Sequence, residues 1–298
     1  MVDLFGKTVK HFFFLIFFLL QGCNSPFQVK QDYSPQLVVY GIAFRGDSSL
    51  VIRVETNSRP PVTDSTVSNQ ISGLSGTLLN QTTGTAVQLS PSFINNVNLL
   101  QSNVKIDPKT KFLLQVSANG YSPCSSSLIV LDSGIIYPTY WTTSVLRDPS
   151  VGLQDPDFTI YVSPLAAAIR VTMSVRYQGI SPKGEPVSGE ISVNPAYQQD
   201  TTSYFLRVNG QTTDVTFLTA DYVKEFVEAT GAIKSGTITA VIKLFQIDAA
   251  LYDYYSIANG FNDPLTMRTE KPVYTNITGG LGFFGSASYD SLSVQVYP

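Results

Sequence analysis

Few side chains in this sequence can do chemistry, and their positions matter more than their number. In 298 residues there is one histidine, His11, and two cysteines, Cys23 and Cys124. Those residue types supply most nucleophile–base pairs and the soft metal ligands of zinc and iron sites. Carboxylates are the plentiful titratable groups, so paired acids are the general acid/base scheme to weigh. Asp155 and Asp157 lie close together, and Asp253, Asp263 and Asp290 lie near the C-terminal motifs. A glycosidase built on them would need two carboxyl groups about 5–10 Å apart in a cleft. Isolated aspartates beside proline or serine are more commonly turn residues. Asp155 and Asp157 also lack the regular acidic spacing of a calcium loop. The run Gly279-Gly280-Leu281-Gly282-Phe283-Phe284-Gly285 has the glycines of a phosphate loop, but no Lys-Ser or Lys-Thr follows it. No catalytic residue, metal site or cofactor is therefore expected, and a carboxylate-dependent hydrolase is the weakest of the readings kept.

The N-terminus decides what happens to the histidine. Lys7, Lys10 and His11 precede Phe12 to Leu20, which has no polar side chain, and Gln21-Gly22-Cys23 follows. A basic head, an apolar run of about 7–15 residues and a small residue before the cut describe an export signal. The run is too short for a membrane span, which needs about 20 apolar residues. Leu20-Gln21-Gly22-Cys23 resembles the lipobox of bacterial lipoproteins. Residues 1–22 are thus expected to be a signal peptide that is removed, and Cys23 to be lipidated. His11 would leave with the signal, and Cys124 would be the one remaining thiol, unable to close an intrachain disulfide. Several acyl chains on one residue meet the condition for stable membrane anchoring. Residues 23–35 are polar and proline-punctuated and read as a tether, whose dozen residues would span about 40 Å when extended.

These groups need a scaffold, and the composition points to strands. The chain is 43% hydrophobic and 12% aromatic but only 14% charged, with a net charge of −3. A charged fraction so far below the usual quarter, with many hydroxyl-bearing residues, excludes a disordered tail or coiled coil. Nothing in the charge draws the chain to nucleic acid. Residues 36–132 show short apolar runs separated by turn residues, the pattern of a β-sandwich. Within them, Leu37 to Phe44 is apolar on both faces and suits a central strand. Residues 133–157 collect Gly134, Pro138, Pro149, Gly152 and Pro156 and read as a linker or interface. Tyr137, Tyr140 and Trp141 fall here; the first expectation is that they pack one domain on the next, and the second is contact with a ligand or partner. Residues 158–298 open with a strict period of two, in which Ile169, Val171, Met173 and Val175 share one face. Helical spacing predicts two amphipathic helices, near 220–230 and 248–259, with Asp248 able to cap the second. The expected fold is mainly β: an N-terminal Ig-like or prealbumin-like sandwich, then a second antiparallel β domain carrying the two helices.

Three triplets, Asp64-Ser65-Thr66, Asp200-Thr201-Thr202 and Asp290-Ser291-Leu292, look like the O-glycosylation acceptor pattern of Bacteroidota, which marks Ser65, Thr201 and Ser291. The stretch Val273-Tyr274-Thr275-Asn276-Ile277-Thr278-Gly279-Gly280-Leu281-Gly282-Phe283-Phe284-Gly285 resembles the ending of the Bacteroidota lipoproteins designated domain of unknown function 4249. Leu37-Val38-Val39-Tyr40-Gly41 after the lipobox, Leu251-Tyr252-Asp253-Tyr254-Tyr255, and Phe261-Asn262-Asp263-Pro264 agree with it in order. The resemblance implies a non-catalytic accessory lipoprotein, anchored through Cys23 in the outer membrane with the cell surface favoured. Its implied partner is an outer-membrane β-barrel protein, a TonB-dependent transporter or a larger outer-membrane machine. The alternative is a surface lipoprotein that binds a glycan or peptide through Tyr137, Tyr140 and Trp141. The glycines of the ending read first as a folding device, where backbone passes close to backbone.

Overall fold

In the computed structural model, residues 35–57, 70–140, 157–181, 183–193, 195–196, 205–217, 235–259 and 274–296 are described. The expected signal peptide, the tether up to residue 34 and the first helix (220–230) lie outside them, as do Cys23, Ser65, Trp141 and Thr201. Residues Gln36–Pro298 form one compact unit. The fold is mainly β, with mixed sheets and, among the described residues, one short helix.

Period-two burial organises the first part of the chain. In β1 (Leu37–Phe44), Leu37, Val39 and Ala43 are fully buried while Tyr40, Ile42 and Phe44 are half-buried on the other face. β2 (Leu50–Thr56) and β5 (Val97–Ser102) continue this layer outward from β1. A second layer contains β3 (Ser75–Asn80), β6 (Lys111–Ser117) and β7 (Cys124–Ile129). β4 (Thr85–Ile94) belongs to both, since Thr85 to Leu89 pair with β3 and Ser90 to Ile94 pair with β5. Leu37, Val39, Ile52, Val54 and Leu100 from one layer meet Leu78, Phe112, Leu114, Val116 and Leu128 from the other in a single core. Alternation of apolar and polar residues is what lets each layer bury one face and wet the other.

The later part repeats the arrangement with longer strands. β10 (Ala168–Ile180) and β14 (Ser235–Ile247) pair over their full length, with β11 (Pro186–Val193) on the outer side of β10. The two-residue β12 (Leu206–Arg207) joins β10 beside Ala168 and Ile169. A separate three-stranded sheet is ordered β13 (Thr212–Thr216), β9 (Asp157–Tyr161), β8 (Ile135–Tyr140). Its inner residues Ile136, Phe158, Ile160, Val215 and Phe217 share a core with Val171, Met173 and Val175 of β10 and with Ile238, Ala240, Ile242 and Leu244 of β14. Phe158 and Phe217 meet edge to face, 5.8 Å between centroids, a favoured aromatic geometry. The interval 133–157, expected as a linker, therefore opens with a strand.

One strand joins the two parts. β15 (Leu281–Val296) pairs in parallel with β1 over Leu281 to Ala287 and antiparallel with β14 over Ala287 to Val296. Phe284 fills the first core, whereas Leu292 and Val294 pack against the second. On its other face sits the helix, α1 (Ala249–Asn259), at the position expected for the second of the pair. Asp248 caps it: Leu251 N–H donates to Asp248 Oδ1 at 3.0 Å, and Ser286 N–H donates to Oδ2 at 2.7 Å. α1 places Leu251 and Tyr254 against Phe283, with the Tyr254 and Phe283 rings 4.3 Å apart and Tyr40 5.6 Å from Phe283. A Cβ on Gly285 would stand 2.8 Å from Leu251 Cγ, so the bare backbone there is what admits the helix.

Candidate functional site

The glycine-rich ending is structural. Its glycines face backbone and core side chains: a Cβ on Gly282 would lie 2.1 Å from the Val39 carbonyl oxygen, and one on Gly279 2.7 Å from that of Pro123. Thr278 exchanges backbone hydrogen bonds with Ser125 at 2.8 and 2.9 Å, and Ser126 Oγ donates to the Asn276 carbonyl at 2.9 Å. These contacts tie the edge of β7 to the start of β15 and leave no room for a ligand.

The outer face of the three-stranded sheet, by contrast, is open to solvent. Antiparallel register sets its side chains in rows across β8, β9 and β13. In one row Ile135 stands opposite Tyr161, and Tyr161 opposite Thr212. In the next, Tyr137 stands opposite Thr159, and Thr159 opposite Asp214. Beyond a bulge at Pro138 the backbone of Tyr140 pairs with that of Asp157, and Asp157 stands opposite Thr216. Ile135 is 61% exposed, Tyr137 60% and Tyr161 46%, on two strands, β8 and β9, whose alternate residues 136, 158 and 160 are buried. The packing expected for Tyr137 is thus not what the structure shows. Alternation is the reason: Ile136 takes the inward position and turns Tyr137 to solvent.

The polar half of this face is ordered by hydroxyl-to-carboxylate bonds. Thr159 Oγ1 donates to Asp214 Oδ1 at 2.7 Å and Thr216 Oγ1 to Asp157 Oδ1 at 2.6 Å. Each threonine fixes one carboxylate oxygen and leaves the other to accept from elsewhere. Neither aspartate forms an ion pair among the described residues. β8, β9 and β13 contain no lysine or arginine. The arrangement can bind through aromatic rings, one aliphatic side chain and two negative charges.

The other expected positions are dispersed. Asp155 and Asp263 lie outside the described residues. Asp290 is held by the Arg45 guanidinium and by Gly134 N–H, which donates to Oδ2 at 2.9 Å. Ser291 is exposed on β15 opposite Lys243. Among the described residues no group of three or more His, Cys, Asp or Glu side chains could hold a metal ion. No helix among them is long and apolar enough to cross a membrane. Ile135, Tyr161 and Asp214 are new to the site, and the signal for them lay in the alternations Ile135-x-Tyr137, Asp157-x-Thr159-x-Tyr161 and Thr212-x-Asp214-x-Thr216.

Comparison with solved structures finds an Escherichia coli alpha-2-macroglobulin activated by porcine elastase, 6% identical, with 89% of this chain and 20% of that one covered and a TM-score of 0.24. Dimeric latent PorU from Porphyromonas gingivalis is 12% identical, with 72% and 19% covered and a TM-score of 0.20. The three N-terminal domains of the outer capsid protein Hoc of bacteriophage RB49 are 8% identical, with 72% and 92% covered and a TM-score of 0.18. The chain thus spans about a fifth of the length of the first two. No curated protein matches it. The profile described as "Domain of unknown function (DUF4249)" matches residues 24–293, so the chain that builds this strand-sharing fold belongs to that family.

Proposed function

We propose that this protein is a non-catalytic lipoprotein of the outer membrane that serves as an accessory, binding subunit of an outer-membrane protein complex, with a TonB-dependent transporter as its partner. The observation that carries the reading is the outer face of β8, β9 and β13, where Ile135, Tyr137 and Tyr161 stand in solvent beside Asp157 and Asp214. Large apolar and aromatic side chains grouped on an exposed sheet face are the usual mark of an interaction surface. Lipid on Cys23, after loss of residues 1–22, would hold the protein at the membrane, and residues 23–35 would let the binding face reach a neighbour at the cell surface. The two layered parts are read as an Ig-like or prealbumin-like sandwich over 36–132 and a second β domain that includes the helix near 220–230.

Purification of the tagged protein in mild detergent tests this. The expected result is a stable complex with a β-barrel membrane protein that is lost in Tyr137→Ser. A lone monomer across several detergents and salt concentrations would sink the reading. A second reading, a surface glycan- or peptide-binding lipoprotein, draws on the same two exposed tyrosines; titration with cell-surface glycans that shifts Tyr137 fluorescence would favour it.

A further inference from the structure

The binding face is amphiphilic in a directional way, and that direction specifies an occupant. Along β8 it offers Ile135 and Tyr137, on β9 Tyr161 with Thr159 and Asp157, and on β13 Thr212, Asp214 and Thr216. Apolar contact is thus concentrated on the β8 side, and negative charge lies one and two strands away. Strands in a sheet are about 4.8 Å apart, so Asp157 and Asp214 stand at about 5 and 10 Å from β8. Both carboxylates carry a hydroxyl donor, and neither is neutralised by a cation among the described residues. β8 is the last strand of its sheet.

We propose, building on the accessory-subunit reading, that this face binds an extended, positively charged segment of a protein partner. Aliphatic side chains of the segment lie on Ile135 and Tyr161, and lysine or arginine side chains cross the ring of Tyr137 to reach Asp157 and Asp214. Charge complementarity selects this occupant. A cation gains from both carboxylates and from the face of an aromatic ring, while an acidic segment meets two like charges with nothing to offset them. An extended segment places every second side chain on the same face, which matches the two-residue spacing of Ile135 and Tyr137. Pro138, with no N–H to donate, makes β8 a poor template for indiscriminate pairing with other strands, so recognition falls to the side chains of the face.

The test uses the full-length protein in detergent and two fluorescein-labelled octapeptides, one repeating Lys-Ser-Val-Ser and one repeating Glu-Ser-Val-Ser, so that charge and valine fall on the same face of the extended segment, read by fluorescence anisotropy. The lysine–valine peptide should bind at least tenfold more tightly. Asp157→Asn with Asp214→Asn should erase the preference, and Tyr137→Ser with Tyr161→Ser should lower the affinity of both peptides tenfold or more. Tyr137, Tyr161 and Asp214 are exposed and Asp157 is half-buried, and an unchanged melting temperature verifies each variant's fold. Should one double variant melt early, Asp214→Asn and Tyr137→Ser alone are measured. Equal binding of the two peptides, or a preference that survives loss of both aspartates, overturns the proposal. Co-purification separates it from the broader reading: a membrane partner recovered equally with wild type and with Tyr137→Ser/Asp214→Asn refutes this face while leaving the accessory role intact.

Discussion

The side-chain amide of Asn276 pairs with the backbone of Phe284 at two points: Asn276 Nδ2 donates to the Phe284 carbonyl at 2.8 Å, and Phe284 N–H donates to Asn276 Oδ1 at 2.9 Å. A side chain here takes the place of a neighbouring strand, holding β15 where its Phe284 ring enters the first core. Asparagine is suited to this because its amide offers one donor and one acceptor in a plane, as a peptide group does. Asn276→Ala should lower stability by about 2–3 kcal/mol, because both backbone groups lose their partner in a half-buried site. Urea unfolding would measure it, and a change under about 0.5 kcal/mol would show that water replaces the amide without cost.

Gly46 and Gly282 make a matched pair. Both have positive φ, +88° and +98°, but a Cβ at Gly46 meets nothing within 4 Å, whereas at Gly282 it meets the Val39 carbonyl at 2.1 Å. Gly46→Ala should cost about 1 kcal/mol from backbone conformation alone. Gly282→Ala should cost about 4 kcal/mol or more, since β1 and β15 must part to accept it. Thermal melting of the two variants side by side checks the contrast; similar midpoints would refute the close approach of these strands.

Asp248 gives stability a pH dependence. Burial pushes its carboxyl from 3.8 up to about 6, against the pull of the backbone donors at Leu251, Ser286 and Ala250. Because the folded protein binds this proton more tightly than the unfolded chain, its contribution is fully present below about pH 4. It is lost as pH rises through about 6, and amounts to about 3 kcal/mol for a shift of this size. Asp248→Asn, which keeps a capping oxygen, should flatten that slope between pH 4 and 6. The unfolding free energy of both proteins across the window is the measurement, and parallel curves would exclude Asp248 as the source.

Cys124 is buried at the start of β7, and desolvation raises its thiol to about 11. Thiolate is the reactive form, so iodoacetamide at pH 8 should leave the native protein unlabelled at this position and modify it on addition of denaturant. Labelling of Cys124 at equal rates in the two states would show that β7 opens readily.

Local signals carried much of the fold. Ile169 to Val175 announce β10 by strict alternation, and Asp248 with Ala250, Leu251, Tyr254 and Tyr255 announces α1 by a cap and an apolar stripe. For β15, Gly279, Gly280, Gly282 and Gly285 read as a place where backbone passes close to backbone, without saying which backbone. The partners are β1, the Pro123 carbonyl and Leu251, residues far away in the chain that no local window contains. β8 escaped notice because Gly134 precedes it and Pro138 lies within it, both turn signals, on a strand with one wet face. The aromatic cluster drew attention to Tyr137, and alternation marks Tyr161 and Asp214 as outward-facing. That the three share one face was not legible, because three separate segments come together only through the register of β8, β9 and β13.

The parallel pairing of Val38 with Leu281 through Phe44 with Ala287 links positions 243 residues apart. Loop closure over that distance makes such contacts slow to form. β1 therefore waits for β15 before its second neighbour exists, and a polypeptide without residues 281–287 leaves that edge of β1 unpaired. Closure of the fold thus becomes a late event, timed by the arrival of residues 281–287 rather than by the local order of the strands before them.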